Sequence, residues 1–333
     1  MTQSEFKQLV SQREYNFIRE DEHLKGRILF LTLGGSHAYG TNVATSDVDV
    51  RGCALNSPSD LLGMTNFEQR IDKATDTTIY GFNKFISLLI TCSPNMVELL
   101  GCKPEHYIYG NDIGKELVAN RKMFFSQRAS VTFGGYATQQ LRRLENALAR
   151  DQLPQEKKER HILDSMNHAL EMKDEPQGIK LFIDDSPSSE LDVEIFADIS
   201  LKHIPVRTFH CLLNELGNIV KCYDKPGKRN HKKDEAHLNK HAMHLVRLLI
   251  TGAELLETGD IITNRENDLD LLMSIRNGAF MDSDGTYKQE FFDIVEKYGK
   301  RFEYAKKNTV LPKKPDMKRI EEFVMEVNRK SIR

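Results

Sequence analysis

Several things are scarce in this chain, and each scarcity removes a class of protein. Cysteine occurs five times in 333 residues, at 53, 92, 102, 211 and 222, and no two form a Cys-x-x-Cys pair. That odd, dispersed set has neither zinc-site spacing nor a disulfide framework, and it suits free thiols in a reducing compartment. No apolar run approaches the ~20 residues that a bilayer-spanning helix needs. Met1-Thr2-Gln3-Ser4-Glu5 has no basic segment leading into an apolar one, so no secretory signal is expected. A cytoplasmic location is therefore the expectation. An excess of one charge is also missing: 47 Lys and Arg face 49 Asp and Glu, for a net charge of −2. Any nucleic-acid binding must come from a local patch. No internal repeat or low-complexity tract is visible. Tryptophan is absent, and nothing follows from that.

What is present can fold. Hydrophobic residues make up 39% of the chain and charged residues 29%, and the length allows two modest domains or one large one. The chemistry concentrates near the N-terminus. Ile28-Leu29-Phe30-Leu31-Thr32-Leu33 reads as a buried strand, Gly34-Gly35-Ser36 as a turn, and Ser46 to Ala54 as a second strand. Side chains alternate along a strand, so Asp47 and Asp49 should share one face while Val48 and Val50 enter the core. Two adjacent carboxylates repel unless a cation lies between them. Mg²⁺ usually takes one or two carboxylates and completes its shell with water and substrate phosphates. The Gly-Gly-Ser turn offers bare backbone N–H groups and a hydroxyl, which suit a phosphate. A phosphate cradle beside a metal-ready carboxylate pair points to nucleoside triphosphate chemistry.

Gly-Ser, a spacer of about ten residues and then Asp-x-Asp resembles the signature of the DNA polymerase β-type nucleotidyltransferase superfamily. The fuller text, Gly35-Ser36-x-x-x-Gly40-Thr41 with Ser46-Asp47-x-Asp49-x-Arg51-Gly52, is similar to its RlaP-like, RNA-repair-associated branch. So is Asp76-x-x-x-Tyr80-x-x-x-Lys84-Phe85 followed by Ser93-Pro94-Asn95-x-x-Glu98-Leu99-Leu100, although Asn-Pro-Asn would be the expected form. In the second half, Asn239-Lys240-His241-Ala242-x-His244-x-x-Arg247, Glu254-Leu255-Leu256-x-x-Gly259-Asp260 and Ile275-Arg276-Asn277-Gly278 continue the resemblance. Ala279 departs from it, standing where an acid is usual.

The resemblance implies a polymerase-β-like α/β (α+β) domain with a mixed sheet at 1–115 and a mainly helical nucleotide- and acceptor-binding domain at 116–333. The site would lie between the two. It implies a metal-dependent nucleotidyltransferase that moves a nucleoside monophosphate from an NTP to an acceptor hydroxyl and releases pyrophosphate. Asp47 and Asp49 would hold Mg²⁺, or Mn²⁺ in its place. A third acid on a neighbouring strand would complete the metal site and help deprotonate the acceptor. Asp76, leading the β-branched run Thr77-Thr78-Ile79-Tyr80, is the first candidate, and Asp72 is the second. Gly35 and Ser36 would grip the triphosphate, with Lys240, His244, Arg247 and Arg276 neutralising phosphate charge. An RNA or tRNA end is the expected acceptor. A protein hydroxyl and an inactive RNA- or nucleotide-binding module are the alternatives.

The remaining chain reads as mostly helical. Helices are expected over 4–20, 82–89, 113–125, 131–149, 161–172, 206–223, 239–249 and 293–304, with a charged linker near 150–160, and the basic, proline-interrupted tail reads either as a flexible arm or as a docked final helix over 316–328. Asp192 and Glu194 repeat the alternate spacing of carboxylates but lack a Gly-Ser turn, so they read as a solvated hairpin face. Between Lys221 and Arg247, eight Lys and Arg face three acids, the densest basic patch in the chain. Lys240, His244 and Arg247 at i, i+4 and i+7 should form a cationic helix stripe.

Overall fold

In the computed structural model, the described residues are 1–333 apart from 153–158, 161, 165, 168–177, 188–191, 201, 224–234, 284–285 and 333. The basic connector at 225–233, most of the linker at 150–160 and parts of the helix expected at 161–172 therefore lie outside the described residues.

The first helix is shorter than its apolar pattern suggests. It covers Gln3–Ser11, opened by a reciprocal cap between Thr2 and Glu5. Gln12 is extended, a 3₁₀ turn follows at Arg13–Tyr15, and a short helix at Phe17–Glu20. Arg19 explains why the chain can break there. Its guanidinium donates to the carbonyls of Val10, Ser11 and Gln12, which the helix end leaves without internal partners. The break lets Phe6, Tyr15 and Ile18 enter one core together with Leu31, Leu33, Val50 and Ile79.

That core lies on a five-stranded mixed sheet built from β1 (Ile28–Leu33), β2 (Val50–Ala54), β3 (Gln69–Asp72), β4 (Thr77–Gly81) and β5 (Tyr107–Tyr109). The order is β3-β4-β2-β1-β5. β2 and β4 run parallel, with Val50 beside Thr77, and every other pair is antiparallel. β1 is almost wholly buried, as its uninterrupted apolar run requires. β2 begins at Val50 rather than at Ser46. β1 ends at Leu33, so the approach to β2 has no ladder partner beyond the hydrogen bond from Gly34 N–H to the Asp49 carbonyl, 2.8 Å. Val48 and Val50 nevertheless face the same core, leaving Asp47 and Asp49 on the outer side.

The helices that follow include Phe82–Ile90, Arg128–Gln152, Val206–Tyr223, Glu235–Thr258, Leu269–Arg276, Gln289–Lys307 and Met317–Ile332. The chain forms two compact units that do not follow a division at residue 115. One joins Met1–Gln139 with Met243–Phe280 and Tyr287–Arg333, and the other is Gln140–Ala242 with Met281–Thr286. The C-terminal helices belong to the sheet's unit because specific contacts hold them there. Arg121 pairs bidentately with Asp260, Gln127 N–H donates to the Pro312 carbonyl, and Ser331 Oγ donates to the Asn56 carbonyl. The second unit contains a hairpin, β6 (Ile179–Asp185) and β7 (Val193–Ile199), in which Asp184 stands opposite Glu194. Leu181 and Ile195 pack against Ile162, Met166 and Ile219.

Candidate active site

Two glycines open the site. Gly35 has φ +52°, and a Cβ there would stand 1.8 Å from Asp49 Oδ2. A Cβ on Gly34 would stand 3.0 Å from Arg51 Cγ. The turn after β1 is thus open on two sides, one taken by the Asp49 carboxylate and the other by the Arg51 stem. A single helical turn, Gly35–Tyr39, follows and ends at Gly40 in the left-handed region, φ 78°.

Asp76 precedes β4 as Asp49 precedes β2, and the parallel register sets the two acids side by side. Val50 N–H donates to the Asp76 carbonyl at 3.3 Å. Between the two carboxylates lies Arg51. Its Nη2 donates to Asp49 Oδ1 at 2.8 Å and to Asp76 Oδ1 at 3.1 Å. Its Nη1 donates to the Val50 carbonyl at 3.0 Å and to the Asp76 carbonyl. Asp47, two residues before Asp49, is exposed. Asp72 is used locally instead: its Oδ1 accepts from the Thr75 N–H and Oγ1, both at 2.9 Å, and so closes the β3–β4 turn.

The donor set suits a hard divalent cation, since Asp49 and Asp76 already converge on one positive group and both offer carboxylate oxygens. Among the described residues, however, no group of three or more His, Cys, Asp or Glu side chains is gathered closely enough to hold a metal ion. A metal held here would take two carboxylates, Asp49 and Asp76, and would need water or substrate oxygens for the rest of its shell.

Arg276, the last residue of the helix Leu269–Arg276, reaches the loop before Asp47, where its Nη2 donates to Ser46 Oγ at 3.3 Å. Burial pushes its guanidinium below its ordinary pKa. Burial also lowers the pKa of His37, partly offset by the Ser46 backbone. Three buried polar atoms around this loop, His37 Nε2, Thr41 Oγ1 and Arg276 Nη1, have no hydrogen-bond partner among the described residues. The loop is held by polar groups with capacity to spare.

The other expected cations are placed differently. Lys240 is exposed and belongs to the second unit, whereas His244, half-buried, and Arg247 belong to the first. Arg247 is only 4% exposed and not part of a solvent-facing stripe. Its Nη1 donates to Glu98 Oε1 at 2.6 Å, and its guanidinium carbon lies 3.5 Å from the centre of the Tyr39 ring. The Tyr39 hydroxyl donates to the other Glu98 oxygen. Burial opposes the charge on Arg247, but Glu98 and Tyr39 outweigh it and hold the pKa above its ordinary value. Burial is also the main cause of the strongly raised Tyr39 pKa. The expectation of phosphate contact by Arg247 is therefore corrected: the helix is buried on nearly all sides here, and the guanidinium is committed to a buried carboxylate. The motif text includes Glu98, but spacing alone gave no sign that its partner lies 149 residues away.

This pair bears on the site because Tyr39 ends the helical turn that starts at Gly35. The Tyr39 carbonyl accepts from Arg265 N–H at 3.0 Å, and Thr263 N–H donates to the Gly101 carbonyl at 2.9 Å. The C-terminal segment thus secures the far end of the turn from which Asp49 is positioned.

The N-terminal half of the chain, residues 2–166, matches the model of the RlaP family, described as an RNA repair pathway DNA polymerase beta family. No curated protein and no solved structure matches the chain significantly. The mixed sheet with its flanking helices, the glycine turn and the acids at the starts of two parallel neighbouring strands agree with that match, and residues 2–166 belong to the RlaP branch of the polymerase β family.

Proposed function

We propose that this protein transfers a nucleoside monophosphate from an NTP to an acceptor hydroxyl, that of an RNA or tRNA end, and releases pyrophosphate. The observation that carries the reading is the convergence of Asp49 and Asp76 beside a turn from which the side chains are missing at Gly34 and Gly35. Asp47, Asp49 and Asp76 would hold Mg²⁺ or Mn²⁺, which supplies charge neutralisation on the triphosphate and a lower pKa for the acceptor hydroxyl.

The residues of the chain have separate tasks in this reading. Gly35 and Ser36 bind the triphosphate through backbone N–H groups and a hydroxyl. Arg276 adds a fixed positive charge next to the Ser46–Asp47 loop. Asp76, whose side chain is 59% exposed, accepts the acceptor's proton as the new P–O bond forms and the bond to pyrophosphate breaks. Such catalysis rests on positioning and electrostatics more than on covalent chemistry.

The test is incubation of the full chain with each labelled NTP, Mg²⁺, and either total RNA or total protein. Label on RNA that disappears with EDTA and with Asp49→Asn is the expected result. Label on protein would move the acceptor to a protein hydroxyl. Label that survives in Asp49→Asn would refute the site, and no label on either with any NTP would refute the activity.

A further inference from the structure

We propose that the docked C-terminal strap, residues 306–319, forms one basic surface with residues 121–128, and that this surface holds the phosphate backbone of the RNA whose end is extended at the site. The inference rests on the reading of the acceptor as RNA given above.

The first observation is where the strap lies. Thr309 Oγ1 donates to the Leu256 carbonyl at 2.7 Å. Gln127 donates to the Leu311 carbonyl through Nε2 at 3.0 Å and to the Pro312 carbonyl through its N–H at 2.9 Å. Arg319 Nη2 donates to Asn120 Oδ1 at 2.9 Å. The last two partnerships join stretches 184 and 199 positions apart in sequence. The second observation is the charge this docking gathers. Six Lys and Arg lie between Lys306 and Arg319 with Asp316 as the one acid, and residues 121–128 add three with none. Lys122, Arg128, Lys313, Lys314, Lys318 and Arg319 are all exposed. The chain as a whole is close to neutral, so the excess is local. Neighbouring acids do not cancel it. Asp260 is shared by Arg121 and Lys122, Asp316 Oδ1 accepts from the Arg319 N–H, and Glu321 and Glu322 follow one turn along the last helix.

The third observation is position relative to the site. Asp260 pairs with Lys122 at 3.2 Å, and Arg265 N–H donates to the carbonyl of Tyr39, which ends the turn that starts at Gly35. Five residues separate Asp260 from Arg265, so their Cα atoms are no more than about 18 Å apart. A duplex carries one phosphate per about 3.4 Å of each strand, so an RNA with its end at the turn presents several phosphates within that reach. Ammonium groups on flexible stems suit such a repeating anion, because they follow the backbone whatever the sequence. Tyr304, 68% exposed and one turn before Lys307, offers a ring on which an unpaired base can stack.

The test reads RNA affinity against salt, with neither NTP nor metal present. Labelled single-stranded RNA of mixed sequence is titrated with the full chain in rising KCl, and its fluorescence anisotropy is followed. The combined variant Lys313→Gln, Lys314→Gln, Lys318→Gln changes three exposed side chains. Its Kd should weaken about tenfold or more, and the slope of log affinity on log salt should become shallower by about 2, at about 0.7 for each single-strand phosphate contact. The control Lys7→Gln, Lys25→Gln, Lys297→Gln removes the same charge elsewhere on the surface and should leave the slope unchanged. Wild-type affinity in the first variant, or an equal loss in both, would overturn the proposal. So would binding to phosphatidylglycerol vesicles with none to RNA, which would make the patch a membrane-facing one. The labelling assay separates this inference from the functional reading. RNA that wild type labels and the first variant binds equally well would keep the transfer activity and overturn the patch. RNA bound through the patch but labelled with no NTP would keep the RNA-binding surface and overturn the activity.

Discussion

Replacing Arg247 with alanine is the most informative single perturbation, because two accounts of that residue predict opposite results. As a buried partner of Glu98, 2% exposed, Arg247 neutralises a carboxylate that has no access to water. Removing one member of a buried ion pair typically costs about 3–5 kcal/mol, since the other charge stays uncompensated. The stacking of the guanidinium on Tyr39 is lost as well. In a unit on the order of 200 residues each kcal/mol lowers the Tm by about 2–4 °C, so Arg247→Ala should lower it by roughly 6–20 °C. Differential scanning calorimetry reads this directly, with binding of labelled NTP measured well below the transition. NTP affinity there should change by less than about threefold, because the guanidinium is committed to Glu98. The double variant Arg247→Met, Glu98→Gln should recover part of the loss, since it removes both charges while keeping volume. A Tm within about 2 °C of wild type, together with NTP binding weakened ten- to hundredfold, would refute the buried-pair reasoning and return Arg247 to the phosphate.

Other consequences can be checked independently. Gly35→Ala should retain the fold but displace the Asp49 carboxylate, since the new Cβ would overlap Oδ2; transfer activity should fall about a hundredfold or more. Asp72→Asn should cost about 1 kcal/mol through the weakened turn at Thr75 and leave activity within about twofold, whereas Asp76→Asn should abolish transfer. Exchange of these two outcomes would make Asp72 the third acid. His106 is buried, its Nδ1 has no hydrogen-bond partner among the described residues, and burial lowers its pKa, with Lys103 adding to the effect. The unfolded chain therefore binds this proton first, so stability should fall as pH drops below about 6.5 towards the folded-state value. Urea unfolding between pH 7.5 and 5 should show that loss, and His106→Gln should flatten it; an unchanged pH slope in a folded variant would exclude His106 as its source.

Local rules were enough for much of this protein. The apolar run of β1, the glycine turn, the alternation of Asp47-Val48-Asp49-Val50 and the strand led by Asp76 are legible because each depends on neighbours in sequence, and the motif residues carry the family resemblance. The helix Val206–Tyr223 was legible in extent for the same reason. What periodicity could not reveal is how distant segments meet. The stop at Gln12 depends on Arg19 folding back on three carbonyls, and the late start of β2 depends on where β1 runs out of partners. The return of residues 243–280 and 287–333 to the sheet's unit depends on ion pairs and hydrogen bonds between residues more than a hundred positions apart. The clearest case is charge. Sequence spacing shows that Arg51 and Arg247 are cations but not what they face, because a guanidinium reaches several ångströms and chooses its partner by geometry. Only the tertiary structure sets Arg51 between Asp49 and Asp76 and buries Arg247 against Glu98 and Tyr39, so that the first stands in the candidate site and the second in the core behind it.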